Sequence, residues 1–354
     1  MIRNRIVQIL LLPFSLLYGL GVSLRNLFYK WKVLSSVSFN LPVISLGNLT
    51  VGGAGKSPHV EYLINLLKPY VHVSTLSRGY KRKTKGFVEV QPFFTADKAG
   101  DEPVQFKRKH PDIGVFVNES RMFGIPQLVS KRPQTQVVLL DDAFQHLSVT
   151  PGMNILLTEY QRLFTNDFLL PSGRLREWPS AYKRADVMIV SKCPTDFTEK
   201  EKQQVIHEIK PLPHQSVFFS YYEYYNPYSL FDHSRVKLDN ELDILLVSGI
   251  ARTDYLLDYL VPKVNDIRIL EFEDHHDYSG MDIGKIKQQF DLLKARRKII
   301  LTTEKDAIRL LNHKQYFINN KMNIFALPIS VKFHFQEQEK FDEMVKSFLL
   351  NFRA

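Results

Sequence analysis

Residues 42–68 read PVISLGNLTVGGAGKSPHVEYLINLLK, and their order decides the fold. An apolar run at 42–46 enters a glycine-rich turn, which ends in Lys56 and Ser57. An amphipathic stretch at 58–68 follows, with Val60, Leu63, Ile64 and Leu67 on one face. Strand, glycine loop and helix in that order make a phosphate loop. Glycines let backbone N–H groups wrap an anion, the lysine reaches the β/γ-phosphates and the hydroxyl ligates Mg²⁺. Thr50, Val51, Gly52, Gly53, Ala54, Gly55, Lys56 and Ser57 are the candidate nucleotide-binding residues, and Ser57 is also a candidate metal ligand. The strict motif places glycine at position 50, where this chain has Thr50.

The pattern repeats outward from this unit. Further strands are expected at 71–76, 113–117, 137–140, 154–157 and 187–190, with amphipathic stretches between them. A Pro- and Tyr-rich tract at 211–227 reads as a hinge or connecting ribbon. A second set follows: strands at 243–247, 268–272 and 298–302, and helices near 253–260 and 283–293. The fold class is therefore α/β: a P-loop NTPase-like parallel sheet domain, a second, smaller α/β lobe and an N-terminal membrane-associated helix. The corresponding boundaries are 1–30 for that helix, 31–215 for the kinase-like domain, 216–240 for the connector, 241–335 for the second lobe and 336–354 for a C-terminal helix.

A net charge of +10 calls for a polyanionic partner, and its placement says which. No acidic residue precedes Glu61, while Arg3, Arg5, Arg25, Lys30 and Lys32 flank an uncharged run at 6–24. As a helix this run spans roughly 28 Å, just short of a bilayer core. Pro13, Gly19 and Gly21 weaken it as a plain span. Ser15, Gly19, Ser23, Asn26 and Lys30 form a small-and-polar stripe opposite Phe14, Leu17, Leu20, Leu24 and Leu27. That layout suits a helix lying at an anionic membrane surface, with basic residues at the headgroups. Interleaved bases and apolar residues do not suit a nucleic-acid groove. The single cysteine, Cys193, excludes an internal disulfide. No obligate protein partner is implied.

Asp141 and Asp142 close the strand at 137–140. Carboxylates at the end of a strand beside a phosphate loop are where nucleotide-bound Mg²⁺ finds a ligand, and one of them can instead cap the next helix. Three other stretches stand out: Gly100-Asp-Glu-Pro103, LLPSGRLRE at 169–177 and DHHDY at 274–278. The His275–His276 pair lacks the i,i+4 spacing of a helical zinc site. The basic loop at 78–85 reads either as a solvated face or as a receiver of a substrate phosphate.

In this order the motifs resemble the tetraacyldisaccharide 4′-kinase family, lipid A pathway enzymes that use ATP to phosphorylate a membrane-embedded glucosamine disaccharide. The matching stretches are LGNLTVGGAGKSP at 46–58, LSRGY at 76–80, GDEP at 100–103, DDAFQH at 141–146, LLPSGRLRE at 169–177, SGIA at 248–251, DHHDY at 274–278 and TTEKDAIRL at 302–310. Two positions depart from the family pattern: Ala143 stands where glycine is usual after the paired aspartates, and Ser57 replaces the commoner threonine.

The resemblance implies ATP and Mg²⁺ as cofactors, and a lipid disaccharide-1-phosphate as acceptor. It also implies work at the cytoplasmic face of the inner membrane of a Gram-negative-type bacterium. By the same resemblance Asp101 is the catalytic base, oriented by His275, and Lys56 is the third catalytic residue. Asp141, Asp142 and Glu177 serve the metal and the loop geometry, with Ser57. Two rival readings share the loop. A soluble kinase of a small metabolite leaves the N-terminus unexplained. A membrane-associated P-loop NTPase of the GTPase type needs a guanine-reading Asn/Thr-Lys-x-Asp after a late strand, and neither 191–194 nor 303–306 has that spacing.

Overall fold

The computed structural model describes residues 5–250 and 253–353. Arg3, one of the basic flanking residues, and Ala251 of the SGIA stretch lie outside them. Nine strands form the larger sheet: β1 (Val43–Asn48), β2 (Val73–Ser77), β3 (Val88–Glu89), β4 (Gly114–Val117), β5 (Val137–Asp141), β6 (Met153–Glu159), β7 (Val187–Ser191), β8 (Ser216–Tyr224) and β14 (Ile329–Phe333). Between β8 and β14 the chain builds a second sheet from β9 (Tyr228–Ser229), β10 (Leu242–Ser248), β11 (Asp266–Glu271), β12 (Arg297–Thr303) and β13 (Ile324–Leu327).

The spatial order of the first sheet is β14-β8-β7-β6-β1-β5-β2-β4-β3, and β1 runs parallel to both β5 and β6 at its centre. Strand β1 is buried throughout because helices cover both faces of a parallel sheet. Ile44 and Leu46 point to the side where the helix Lys56–Leu67 lays down Val60, Leu63, Ile64 and Leu67. Val43 points to the other, toward Leu128 of the helix Arg121–Lys131. Each such aliphatic side chain contributes about 2 kcal/mol by leaving water. The C-terminal ends of β1 and β5 lie side by side, so the phosphate loop and the paired aspartates share one crevice, as open α/β sheets arrange their ligand sites.

The tract expected to be a hinge or ribbon is a strand with two partners. The first half of β8 pairs with β7, from Val187 opposite Ser216 to Val190 opposite Phe219. Its second half pairs antiparallel with β14, from Phe333 opposite Ser220 to Ile329 opposite Tyr224. This two-stranded ribbon carries the chain into the second lobe and back. Residues 329–333, placed by the sequence in that lobe, thus return to the first sheet. Val331 and Phe333 are buried there, together with Phe341 and Val345 of the last helix, Gln338–Leu350.

The N-terminal helix, Arg5–Lys30, follows the expected periodicity. Ser15, Gly19, Ser23 and Asn26 of its small-and-polar stripe face the protein. Ser15 Oγ donates to Leu169 O at 3.0 Å, Trp178 Nε1 donates to Ser23 Oγ at 2.9 Å, and Asn26 Nδ2 donates to Glu177 Oε2 at 3.3 Å. Gly19 is required: a Cβ there would lie 2.5 Å from the Trp178 ring. The apolar face, including Ile9, Leu10, Phe14, Leu17 and Leu20, points outward and is more than half exposed. By length and composition the helix can cross a membrane.

Candidate active site

Two glycines of the phosphate loop hold left-handed backbone, Gly52 at φ +108° and Gly55 at φ +83°, which a side chain resists. Gly55 passes the chain into the helix that begins at Lys56, so the first free N–H groups of that helix face the loop. Thr50 needs no glycine. It sits in extended pairing with Leu175, and Asn48 Nδ2 donates to its carbonyl at 2.8 Å. The loop is pinned on both sides of Thr50: Val51 N donates to Arg174 O at 2.8 Å and Arg176 N donates to Leu49 O at 2.7 Å. Ala54 is buried, its carbonyl accepting from Ser191 Oγ at 2.8 Å, while Val51 and Gly53 are exposed.

Lys56 Nζ donates to Asn48 Oδ1 at 3.1 Å and lies 3.6 Å from Asp142 Oδ1. Asp142 receives a second cation, Arg176, at 2.8 and 3.1 Å. Burial would raise the Asp142 pKa, but Lys56 and Arg176 outweigh it and hold the carboxyl well below the usual range. Its side chain is still two-fifths exposed to the crevice, so the group is accessible as well as charged. Asp141 is the opposite case. It is fully buried, faces the charges of Glu102 and Asp142, and is pushed up to about 8. Its Oδ1 is buried without a hydrogen-bond partner.

Ser57 Oγ donates to Glu102 Oε1 at 2.9 Å. Glu177, expected beside the metal, is instead buried against Arg184, Nη1 to Oε2 at 2.9 Å, and Asn26 of the N-terminal helix. Its neighbour Arg176 is the residue of that motif that reaches the loop. Among the described residues no three His, Cys, Asp or Glu side chains stand in a metal-holding group. Mg²⁺ on a nucleotide has a weaker requirement, because phosphate oxygens and waters complete its shell. The unpartnered Asp141 Oδ1 and the Ser57 hydroxyl fit that need.

Asp101 opens the helix Asp101–Lys109 just after Gly100, whose φ is +91° and where a Cβ would lie 3.1 Å from the Gly79 and Tyr80 backbone, so GDEP packs closely on LSRGY. The carboxyl is almost fully buried. Oδ2 lies 2.8 Å from His275 Nδ1, and Oδ1 is 2.7 Å from Arg309 Nε in an ion-pair contact. Burial acts to raise its pKa, but the hydrogen bond from His275 and the charge of Arg309 win, leaving it below the ordinary value. Asp101 belongs to the first lobe, while His275 and Arg309 belong to the second. At the far end of the same helix Lys109 pairs with Glu304 at 2.8 Å, and with Glu61 of the phosphate-loop helix. The helix Asp101–Lys109 is thus clasped at both ends by the helix Glu304–Leu310.

Between the lobes lies a cavity of about 480 Å³. Gly52, Lys56, Ser57 and Glu102 line one wall, His275 and Lys305 another, and Tyr222, Leu246, Tyr255 and Leu327 an apolar end. The basic loop is mostly spoken for: Arg82 pairs with Glu119, Lys83 with Asp97, and Lys81 reaches the carbonyls of Asp274 and His275. Sequence reading left Glu102, Arg121, Arg176, Lys305 and Arg309 without roles. Arg121 is fully buried and donates to Asp141 O at 3.1 Å. The other four lie inside quoted motifs, but spacing alone did not say which neighbour faces inward.

The family model for tetraacyldisaccharide-1-P 4′-kinase matches residues 7–350. The tetraacyldisaccharide 4′-kinase of Bacteroides thetaiotaomicron is 45% identical, covering 95% of this chain and 91% of its own. That of Flavobacterium johnsoniae is 40% identical, covering 96% of each chain. The crystal structure of LpxK from Aquifex aeolicus in complex with ATP, described as an "apo" form, aligns with a TM-score of 0.72 and 31% identity over 97% of this chain and 99% of that one. The chain belongs to the tetraacyldisaccharide-1-P 4′-kinase family.

Proposed function

We propose that this protein transfers the γ-phosphate of ATP to the 4′-hydroxyl of a tetraacylated glucosamine disaccharide 1-phosphate, giving lipid IVA. The observation that carries this reading is one cavity lined by the phosphate loop and by His275, whose Nδ1 lies 2.8 Å from the buried Asp101 Oδ2. Lys56 and the loop N–H groups would hold the triphosphate, and Lys56 would offset charge on the transferring group. Ser57, Asp141 and Asp142 would hold Mg²⁺, which when bound neutralises phosphate charge. Asp101 would accept the proton of the acceptor hydroxyl as the oxygen–phosphorus bond forms and the bond to the ADP leaving oxygen breaks. His275 would orient Asp101 from the second lobe, so a complete site requires the lobes together. Arg176 would steady Asp142, and Glu177 would fasten the motif to the N-terminal helix.

The outward apolar face of that helix supports seating at an anionic membrane, on the cytoplasmic side where ATP is available. No nucleic acid or obligate protein partner is part of this reading. Incubation with γ-labelled ATP, Mg²⁺ and the lipid disaccharide should move label into the lipid fraction. Release of label only as inorganic phosphate would refute it.

A further inference from the structure

Lys305 has no part in the chemistry above, yet it touches the residue that orients the base. It stands in the first turn of the helix Glu304–Leu310, with Nζ 3.0 Å from Asp274 Oδ1 and 3.1 Å from His275 Nε2. His275 is therefore held at both nitrogens, since Nδ1 lies 2.8 Å from Asp101 Oδ2. An imidazole nitrogen facing an ammonium has only one role open to it. Lysine has three N–H donors and no lone pair, so Nε2 must accept. Nδ1 then carries the hydrogen and donates to Asp101. A second proton on the ring would set an N–H against the ammonium. Burial opposes the Lys305 charge, but Glu102 and Asp274 outweigh it and raise its pKa, so the side chain stays cationic.

Other groups around the ring do not reverse this. Asp274 Oδ1 lies 3.9 Å from Nε2, and Lys305 Nζ is nearer to both. Tyr80 stacks at a tilt with centroids 4.9 Å apart, Lys81 binds the His275 carbonyl, and Arg309 stands beyond Asp101. We propose that Lys305 is a positioning residue that fixes His275 as the neutral Nδ1–H tautomer aimed at Asp101. The imidazole then orients the carboxylate, and Asp101 remains the acceptor of the hydroxyl proton. The inference rests on the reading of Asp101 as base.

The test uses the full chain with ¹⁵N-labelled histidine, in wild type, Lys305→Met, Lys305→Arg and Asp274→Asn. In wild type, His275 should show a protonated Nδ1 and an unprotonated Nε2. Lys305→Met should mix the two tautomers. Turnover should fall on the order of tenfold, with the KM for ATP little changed. Lys305→Arg should restore both signatures, and Asp274→Asn, at a partly exposed position, should weaken them without unfolding the chain. A His275 tautomer unchanged in Lys305→Met overturns the proposal whatever the activity. A tautomer that changes while turnover does not would overturn the base role of Asp101 and, with it, the positioning role.

Discussion

Arg176 grips Asp142 with both terminal nitrogens, at 2.8 and 3.1 Å, while its own backbone N–H closes on Leu49 at the foot of the phosphate loop. One residue thus sets both the loop's path and the charge of the carboxylate beside Lys56. Arg176→Met leaves Lys56, at 3.6 Å, as the cation paired with Asp142. The KM for ATP should rise about tenfold, the worth of one charge-assisted hydrogen bond. Arg176→Lys should recover little, because a point charge cannot reproduce the fork. Unchanged nucleotide affinity in both variants would separate Arg176 from the site.

Asp101→Asn and His275→Ala should lower kcat by roughly 10²–10⁴ while leaving ATP binding within a few-fold of wild type. Calorimetric titration with ATP alongside steady-state kinetics checks this. Equal losses in nucleotide affinity would contradict the division of labour between the two walls.

Lys56→Ala should abolish transfer even at saturating lipid, because Lys56 is the cation at the first position of the loop helix. Retained turnover would mean that the loop does not cradle the phosphates.

The raised pKa of Asp141 sets a pH dependence. Its folded value, about 8, lies above the unfolded one, so the stability this carboxyl contributes is fully present below pH 4 and is lost as pH rises through 8. A divalent cation needs the ionised form and should reverse the loss. The rise in Tm on adding Mg²⁺ should therefore be larger at pH 8.5 than at pH 6, and Asp141→Asn should flatten the difference. An equal rise at both pH values would place the cation elsewhere.

Leu10 and Leu17 are 68% and 66% exposed on the outer face of the N-terminal helix, so charging them disturbs no packing. Leu10→Glu with Leu17→Glu should move the protein off anionic vesicles in a flotation assay at unchanged Tm. Gly19→Leu acts on the other face. It forces the helix off Trp178 and should lower stability by about 1–3 kcal/mol. Vesicle binding that survives the double charge substitution would remove the helix as an anchor.

What the sequence revealed follows the range of the interactions involved. The phosphate loop was readable because strand, turn and helix are neighbours in the chain, and β1 with the helix Lys56–Leu67 lie within two residues of their expected ends. The contact between Asp101 and His275 spans 174 positions, and only a family resemblance brought the two together. Within LLPSGRLRE the acidic Glu177 drew attention as a metal ligand, yet the backbone turns Arg176 to the loop and Glu177 to Arg184. Periodicity likewise found the stripe of Ser15, Gly19, Ser23 and Asn26 but not what it faces. Which side of an amphipathic helix meets protein is a tertiary fact. The ribbon of β8 and β14 joins residues more than a hundred positions apart, so its second partner could not be seen locally.

The central claim is that phosphate goes to one hydroxyl of a lipid-borne sugar. The most direct test is to purify the lipid product of an ATP-driven reaction and locate its new phosphate by ³¹P–¹H correlation. The expected result is a second phosphomonoester coupled to the 4′ ring proton, absent when Asp101→Asn replaces wild type. Phosphate on any other hydroxyl, or no new phosphorus in the lipid while ATP is consumed, would contradict the account.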